Sequence, residues 1–298
     1  MVQPATDRLG RATFRHIAPK EDVRPNTREV RWLKHIERHG PQGSHYLYEL
    51  TRDTHRCKDT TLRQMQKLRA GGYLSLPHQQ RATERAEFNP YIYDLTQKAE
   101  DHLFDLGIDE PTVRPTGHWW HSYMTSCVTS AIDIAALRAG VRFIPAHEIL
   151  AIKDVDLAIP IGRAHLIPDQ LFALDYGGRY RAFALEVDRG TEPKTSPAKR
   201  KSWKRSIEQY RQIIEKQRYK RHYGLNTNLL VLWVFNSRTK EARFLELMHQ
   251  KPCAADRAFL TQSIYDDTGP STERNLPTHL FDRPWKRADG SAVSIRGV

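Results

Sequence analysis

Two apolar runs, 164–173 and 180–188, lie on either side of Asp175-Tyr176-Gly177-Gly178, and no other stretch constrains the fold as tightly. Glycine tolerates the left-handed backbone of a tight reversal, so the segment predicts a β-hairpin. With the turn centred on the glycines, Asp169 falls opposite Glu186, and cross-strand neighbours have Cβ atoms about 5 Å apart. Asp188 shares the face of Glu186, while Phe183, Leu185 and Val187 take the other face and are free to enter a core. Carboxylates held this close repel one another unless something offsets their charge. A divalent cation with oxygen ligands would do so. On the alternative reading Arg163, Arg179, Arg181 and Arg189 do so as ordinary ion pairs.

Charge indicates what such a site would act on. The 298 residues carry a formal net charge of +12 with a pI near 9.7, which calls for a polyanionic partner. Three scattered cysteines, Cys57, Cys127 and Cys253, form neither a disulfide framework nor a zinc pattern, as expected in a reducing compartment. The first residues lack the apolar core of a signal peptide, and no stretch approaches the ~18 apolar residues of a membrane span. A soluble, cytoplasmic protein is expected.

Basic residues crowd one segment just beyond the acids. Lys194, Lys199, Arg200, Lys201, Lys204, Arg205, Arg211, Lys216, Arg218, Lys220 and Arg221 are opposed there only by Glu208 and Glu215. Such a run is either a solvated helix face or a nucleic-acid contact, for which Lys199, Arg200, Lys201 and Arg205 are the candidates. Trp203, Tyr210, Tyr219 and Tyr223 are interleaved as stacking or packing groups. A membrane-surface helix is a poorer fit, because the apolar members are too few to make a continuous stripe.

The chain divides into two folded parts and two tails. Residues 1–25 are polar, proline-containing and aperiodic, and are expected to be a flexible arm whose Arg11, Arg15, Lys20 and Arg24 could touch phosphates. Asn26 or Thr27 caps a first helix; Tyr46, Leu47 and Leu50 suit a second; Leu62, Met65 and Leu68 belong to a third that stops at Gly71-Gly72. Alternating strands follow at 73–76 and 91–95, and a closing helix at 96–106. Three helices and a two-stranded wing predict a winged helix over 26–107. DNA is its expected partner, through Lys58, Arg63, Gln64, Lys67 and Arg69 on the third helix and Arg81 and Arg85 in the wing. Protein contacts or homodimer formation are the other use of such a domain.

The stretch 107–117 is the expected boundary. A long helix over 118–139, a strand over 141–144, the hairpin, a helix over 201–223 and the continuous apolar strand 229–235 then predict an α/β sandwich around a mixed sheet over 118–265. Phe244, Leu245, Leu247 and Met248 suit a last core element, and 256–265 one more short helix. Residues 266–298 are expected to be irregular, docking through Phe281 and Trp285.

The element order of the second part resembles the core of PD-(D/E)XK restriction-endonuclease-like nucleases. More specifically, Leu166-Ile167-Pro168-Asp169, the string Leu185-Glu186-Val187-Asp188-Arg189-Gly190-Thr191-Glu192, the downstream Lys204 and Tyr210, and a preceding winged helix are similar to the replication-relaxation family, which includes MobC-type conjugative relaxases. The resemblance spans roughly residues 26–265. It implies metal-dependent nicking or cleavage of double-stranded DNA at an origin of a plasmid or other mobile element, alongside other relaxosome or replication proteins. Asp169 and Glu186 match metal ligands for Mg²⁺ or Mn²⁺, with Glu148 as a further acid. Asp188 stands where such nucleases carry a lysine, and aspartate cannot stabilise the negative charge of a phosphoryl transition state. Either Asp188 is another metal ligand or a lysine from the next helix, best Lys204, takes the missing role. Glu192 is a supporting acid or a loop residue paired with Lys194.

Other chemistries fit less well. No two of the fourteen histidines are separated by a single apolar residue, the spacing of common relaxase metal sites. His118 and His121 share one helix face as a metal pair or, the favoured reading, as polar groups at a helix start. Tyr210 is either a nucleophile or a packing residue beneath the basic helix. No phosphate loop and no nucleophile elbow is present. A non-catalytic origin-binding or transcription-regulatory protein on a degenerate nuclease fold is the alternative to an enzyme.

Overall fold

The computed structural model describes residues 15–55, 57–80, 90–113, 118–190, 193–195, 202–264 and 276–297. The chain forms two compact units, divided between Thr112 and Val113.

The first unit begins with α1 (Thr27–His39), which Asn26 and Glu29 cap reciprocally: the Glu29 amide donates to Asn26 Oδ1 (3.0 Å) and the Asn26 amide to Glu29 Oε2 (2.8 Å). It continues through β1 (Gln42–Gly43), α2 (Ser44–Leu50), α3 (Lys58–Ala70), β2 (Leu74–Ser75), β3 (Ile92–Leu95) and α4 (Gln97–Asp105). The strands form a sheet in the order β1-β3-β2, antiparallel throughout. Trp32, Leu33, Ile36, Leu47, Met65, Leu68 and Leu103 make its core. Residues 15–25 depart from the expected flexible arm. Val23 is buried so tightly against Gly71 that a Cβ at 71 would come within 2.5 Å of it. Arg15 donates to the carbonyls of Leu76, Pro77 and Gln80 at 2.8–3.0 Å, so its guanidinium closes this unit rather than facing solvent.

The second unit contains α5 (Trp119–Arg138), β4 (Arg142–Pro145), α6 (Ala146–Leu150), β5 (Ile159–Ile161), β6 (Ala164–Leu166), β7 (Gln170–Asp175), β8 (Tyr180–Asp188), α7 (Trp203–Glu215), α8 (Arg218–Tyr223), β9 (Leu229–Phe235), α9 (Arg238–His249), β10 (Phe259–Ser263), α10 (His279–Asp282), β11 (Trp285–Lys286) and β12 (Ala292–Val293). Seven strands form one mixed sheet, in the order β12-β11-β10-β9-β8-β7-β4. Strands β8, β9 and β10 run parallel, and the other pairings are antiparallel. On one face Ala182, Ala184 and Trp233 pack with Ile207 and Tyr210 of α7 and Phe244 of α9. On the other, Phe183, Leu185 and Val187 pack with Val128 and Ile132 of α5 and Leu280 of α10. The α/β class and mixed sheet are as expected. Among the described residues no helix is long and apolar enough to cross a membrane, and no disulfide joins the cysteines.

Four local expectations are corrected. The run 164–173 is two strands, because Pro168 has no amide hydrogen for a ladder; β6 pairs with β5, and only β7 enters the main sheet. The basic helix breaks at Gln217, whose φ of 47° ends α7 and starts α8. Residues 259–263 are a buried strand rather than a helix, with Thr261 Oγ1 donating to Glu241 Oε1 at 3.0 Å. Residues 277–297 are structured: β11 and β12 extend the sheet, and Trp285 is fully buried with its indole N–H donating to Leu280 O at 2.7 Å. Truncating a buried tryptophan leaves a cavity, so Trp285→Ala is expected to lower unfolding free energy by about 3–5 kcal/mol in urea titrations of the full chain. A loosely docked tail would leave the midpoint unchanged.

Candidate functional site

The hairpin register follows from its turn. Gln170 pairs with Leu185 and Asp175 with Tyr180, and the ladder closes on Gly177 and Gly178, both at positive φ. One residue before β7, the Asp169 amide donates to Leu185 O at 3.0 Å, which sets Asp169 across from Glu186. Glu186 and Asp188 then emerge on the α7 side of β8, two residues apart. All three acids are buried, at 7%, 2% and 2% exposure, so each must be matched by donors or by a cation.

The donors come from several elements. His121 Nε2 on α5 lies 3.0 Å from Asp169 Oδ1, and the Val187 amide donates to Asp169 Oδ2 at 2.7 Å. The Tyr210 hydroxyl on α7 donates to Glu186 Oε1 at 2.6 Å. Trp203 Nε1, at the start of α7, donates to Asp188 Oδ2 at 2.8 Å, and the Gly190 amide donates to Asp188 Oδ1. Asp188 is therefore bonded at both oxygens and ties α7 to the end of β8. No three of Asp169, Glu186, Asp188, Glu148 and His121 bring ligand atoms within 4.8 Å of one another. The arrangement is a facing pair, Asp169 and Glu186, with Asp188 turned to its own donors.

The arginine reading does not hold. Arg163 and Arg179 are exposed, Arg181 donates to Ser294 O at 2.8 Å, and Arg189 Nη1 lies 3.3 Å from His118 Nδ1. Glu148, on α6, pairs with Arg142 at 2.5 Å. Lys204 is exposed and makes no ion pair with the three acids. Tyr210 is fully buried, and its hydroxyl is held well above the usual phenol range, first by burial and then by the charge and hydrogen bond of Glu186. It stays protonated and acts as a donor, which disfavours a nucleophilic role. Trp203, Tyr219 and Tyr223 are likewise buried, so the aromatic residues of the basic segment pack rather than stack on a ligand.

On α3, Lys58 and Arg63 are exposed. Three other candidates are held within the first unit: Gln64 Oε1 accepts from Arg28 at 3.3 Å, Lys67 reaches Glu29 at 3.5 Å, and Arg69 donates to Arg15 O. Burial lowers the pKa of the Arg69 guanidinium. Arg205 is half-buried on α7. Arg81, Arg85, Glu192, Lys199, Arg200 and Lys201 lie outside the described residues, as does Arg11. Arg211, from the same basic segment, forms a two-point ion pair with Asp256 at 2.8 and 2.9 Å.

Sequence reasoning did not bring His121 to Asp169. Its spacing from His118 put both at one helix start, but no local pattern names a carboxylate so far along the chain as its partner. His118 does cap that start, accepting from the Trp120 amide at 3.3 Å.

A family model described as replication-relaxation matches residues 33–229. The match spans more than half of the chain and includes α2, α3 and α4 of the first unit, Asp169, Glu186 and Tyr210. The chain belongs to the replication-relaxation family, and membership carries a role in replication or mobile-element processes. Searches among curated proteins and among solved structures returned no match.

The Tyr210–Glu186 contact predicts a pH dependence. In the unfolded chain a phenol ionises near pH ~10, whereas folded Tyr210 keeps its proton to higher pH. Its contribution to stability is therefore complete below about pH 10 and is lost as pH rises further. Tyr210→Phe should cost about 1.5–3 kcal/mol near neutral pH and make the alkaline fall shallower in urea titrations. An alkaline limb identical to that of the parent chain would contradict the assignment.

Proposed function

We propose that the protein nicks double-stranded DNA at an origin of a plasmid or other mobile element, by metal-dependent phosphodiester hydrolysis. The buried Asp169–Glu186 pair across β7 and β8 carries this reading. Family membership and the net charge of +12 support it.

The donor set suits a hard cation. Mg²⁺ is commonly held by one or two carboxylates with waters and substrate phosphate completing its shell, so two facing carboxylates suffice. Asp169 and Glu186 would hold Mg²⁺ or Mn²⁺. When bound, the ion supplies positive charge toward a phosphate oxygen and a lowered pKa for a coordinated water. The protein's own groups then have defined tasks. His121 and the Val187 amide orient Asp169; Tyr210, neutral and buried, orients Glu186 without adding charge. Asp188 fastens Trp203 and the Gly190 turn, and so holds α7 beside the pair.

The first unit, read as a winged helix, would place α3 against the duplex. Lys58 and Arg63 are its available cations, because Lys67 and Arg69 are already engaged. A non-catalytic origin-binding protein is the second reading. It is favoured by Asp188, which occupies the nuclease lysine position with both oxygens taken by Trp203 and Gly190. Calorimetry with Mn²⁺ separates the two: saturable binding lost in Glu186→Gln supports the enzyme, and no binding even with DNA present supports the scaffold.

Activity is tested on supercoiled plasmid carrying the protein's own origin region, with end mapping of the product. The parent chain should convert it to the nicked form, and an Asp169→Ala, Glu186→Ala double variant should lose at least about 100-fold in rate. Undiminished nicking by the double variant would sink the proposal.

A further inference from the structure

The turn that ends β8 is built around an ammonium group. Gly190 has φ +89°, and a Cβ placed there would lie 2.4 Å from Lys240 Nζ and 2.7 Å from Asn236 Nδ2. Lys240, in the first turn of α9, therefore rests its side-chain terminus directly on the backbone that follows Asp188. Asn236, the residue after β9, fixes the same turn: its backbone N–H donates to Asp188 O at 3.1 Å, and its Nδ2 donates to Arg189 O at 2.7 Å.

Two polar atoms at this place are left over. Among the described residues Lys240 Nζ has neither a hydrogen bond nor an ion pair, although the residue is half-buried. Asn236 Oδ1, beside it, is buried without a donor. Asp188, two residues before Gly190, already accepts from Gly190 and Trp203, and Glu241, next to Lys240 in the chain, accepts from Thr261 and Lys286. A partly desolvated ammonium without an acceptor is unfavourable by itself, and an anionic oxygen is the group that would satisfy it. The place also suits a ligand. Lys240 sits beyond the carboxyl ends of the parallel strands β8 and β9, where open α/β sheets bind their ligands. The glycine leaves room for the ammonium to approach the strand end that carries Glu186 and Asp188.

We propose that Lys240 binds a phosphate of the DNA strand beside the Asp169–Glu186 pair, supplying from α9 the positive charge that Asp188 cannot supply from β8. This rests on the reading of the site as DNA-directed. Lys204 is exposed on α7 and makes no ion pair with the three acids.

Two measurements on the full chain test it. In the first, affinity for a fluorescent duplex of the origin region is followed against salt for the parent, Lys240→Met and Lys240→Arg. Loss of one phosphate contact should lower the slope of log K against log salt by about 1 in Lys240→Met, with Lys240→Arg keeping the parent slope. A Lys240→Met slope and affinity equal to the parent's would overturn the proposal. In the second, plasmid nicking by Lys240→Met should fall about 100-fold in kcat with Lys240→Arg partly restoring it. Parent-like nicking by Lys240→Met would also count against the lysine. If the parent chain itself does not nick with either metal, the nuclease reading alone fails, and the salt slope still decides whether Lys240 touches phosphate.

Discussion

Three carboxylates buried at the adjoining ends of β7 and β8 set the terms for the rest of the second unit. None is removed from water without replacement. His121 brings α5 to Asp169, and Tyr210 and Trp203 bring α7 to Glu186 and Asp188. A hydrogen bond to a charged group contributes about 1.5–3 kcal/mol net, and a buried charge that loses its partner costs more. Helices on both faces of the sheet are thus pinned to one strand end by polar contacts, while the apolar alternation of β8 supplies the packing. The same contacts keep Asp169 and Glu186 in place across from one another.

Those contacts also explain which parts were legible in the sequence. The hairpin register was, because Gly177 and Gly178 centre the turn and alternation then assigns Glu186 and Asp188 to one face and Phe183, Leu185 and Val187 to the other. The identity of the donors was not. Repulsion among acids predicts only that something must offset it, and a cation, arginines or neutral N–H and O–H groups all satisfy that condition. The four arginines nearest in sequence lie elsewhere, and the side-chain donors described above come from two helices outside the hairpin.

The edge of the sheet was hidden for a related reason. Strand β10 contains Thr261, Gln262 and Ser263, whose polarity obscures a strand pattern. In the fold Thr261 donates to Glu241, and Gln262 donates to the carbonyls of Arg283 and Pro284, so residues distant in the chain make burial tolerable. The basic segment shows the opposite effect. Its charge is conspicuous in the sequence, yet Arg211 is consumed by Asp256 and its aromatic residues face the core. Lys240, one basic residue among many after an apolar strand, stands out only once Gly190 is seen beneath it.

The central claim is that Asp169 and Glu186 are a cation-binding pair and not merely two carboxylates quenched by His121 and Tyr210. Crystals soaked in Mn²⁺ and measured at the manganese absorption edge test it most directly. The account predicts an anomalous peak between the two carboxylates, within coordination distance of an oxygen from each. A map without a peak there, with both acids still bonded only to their protein donors, would contradict it.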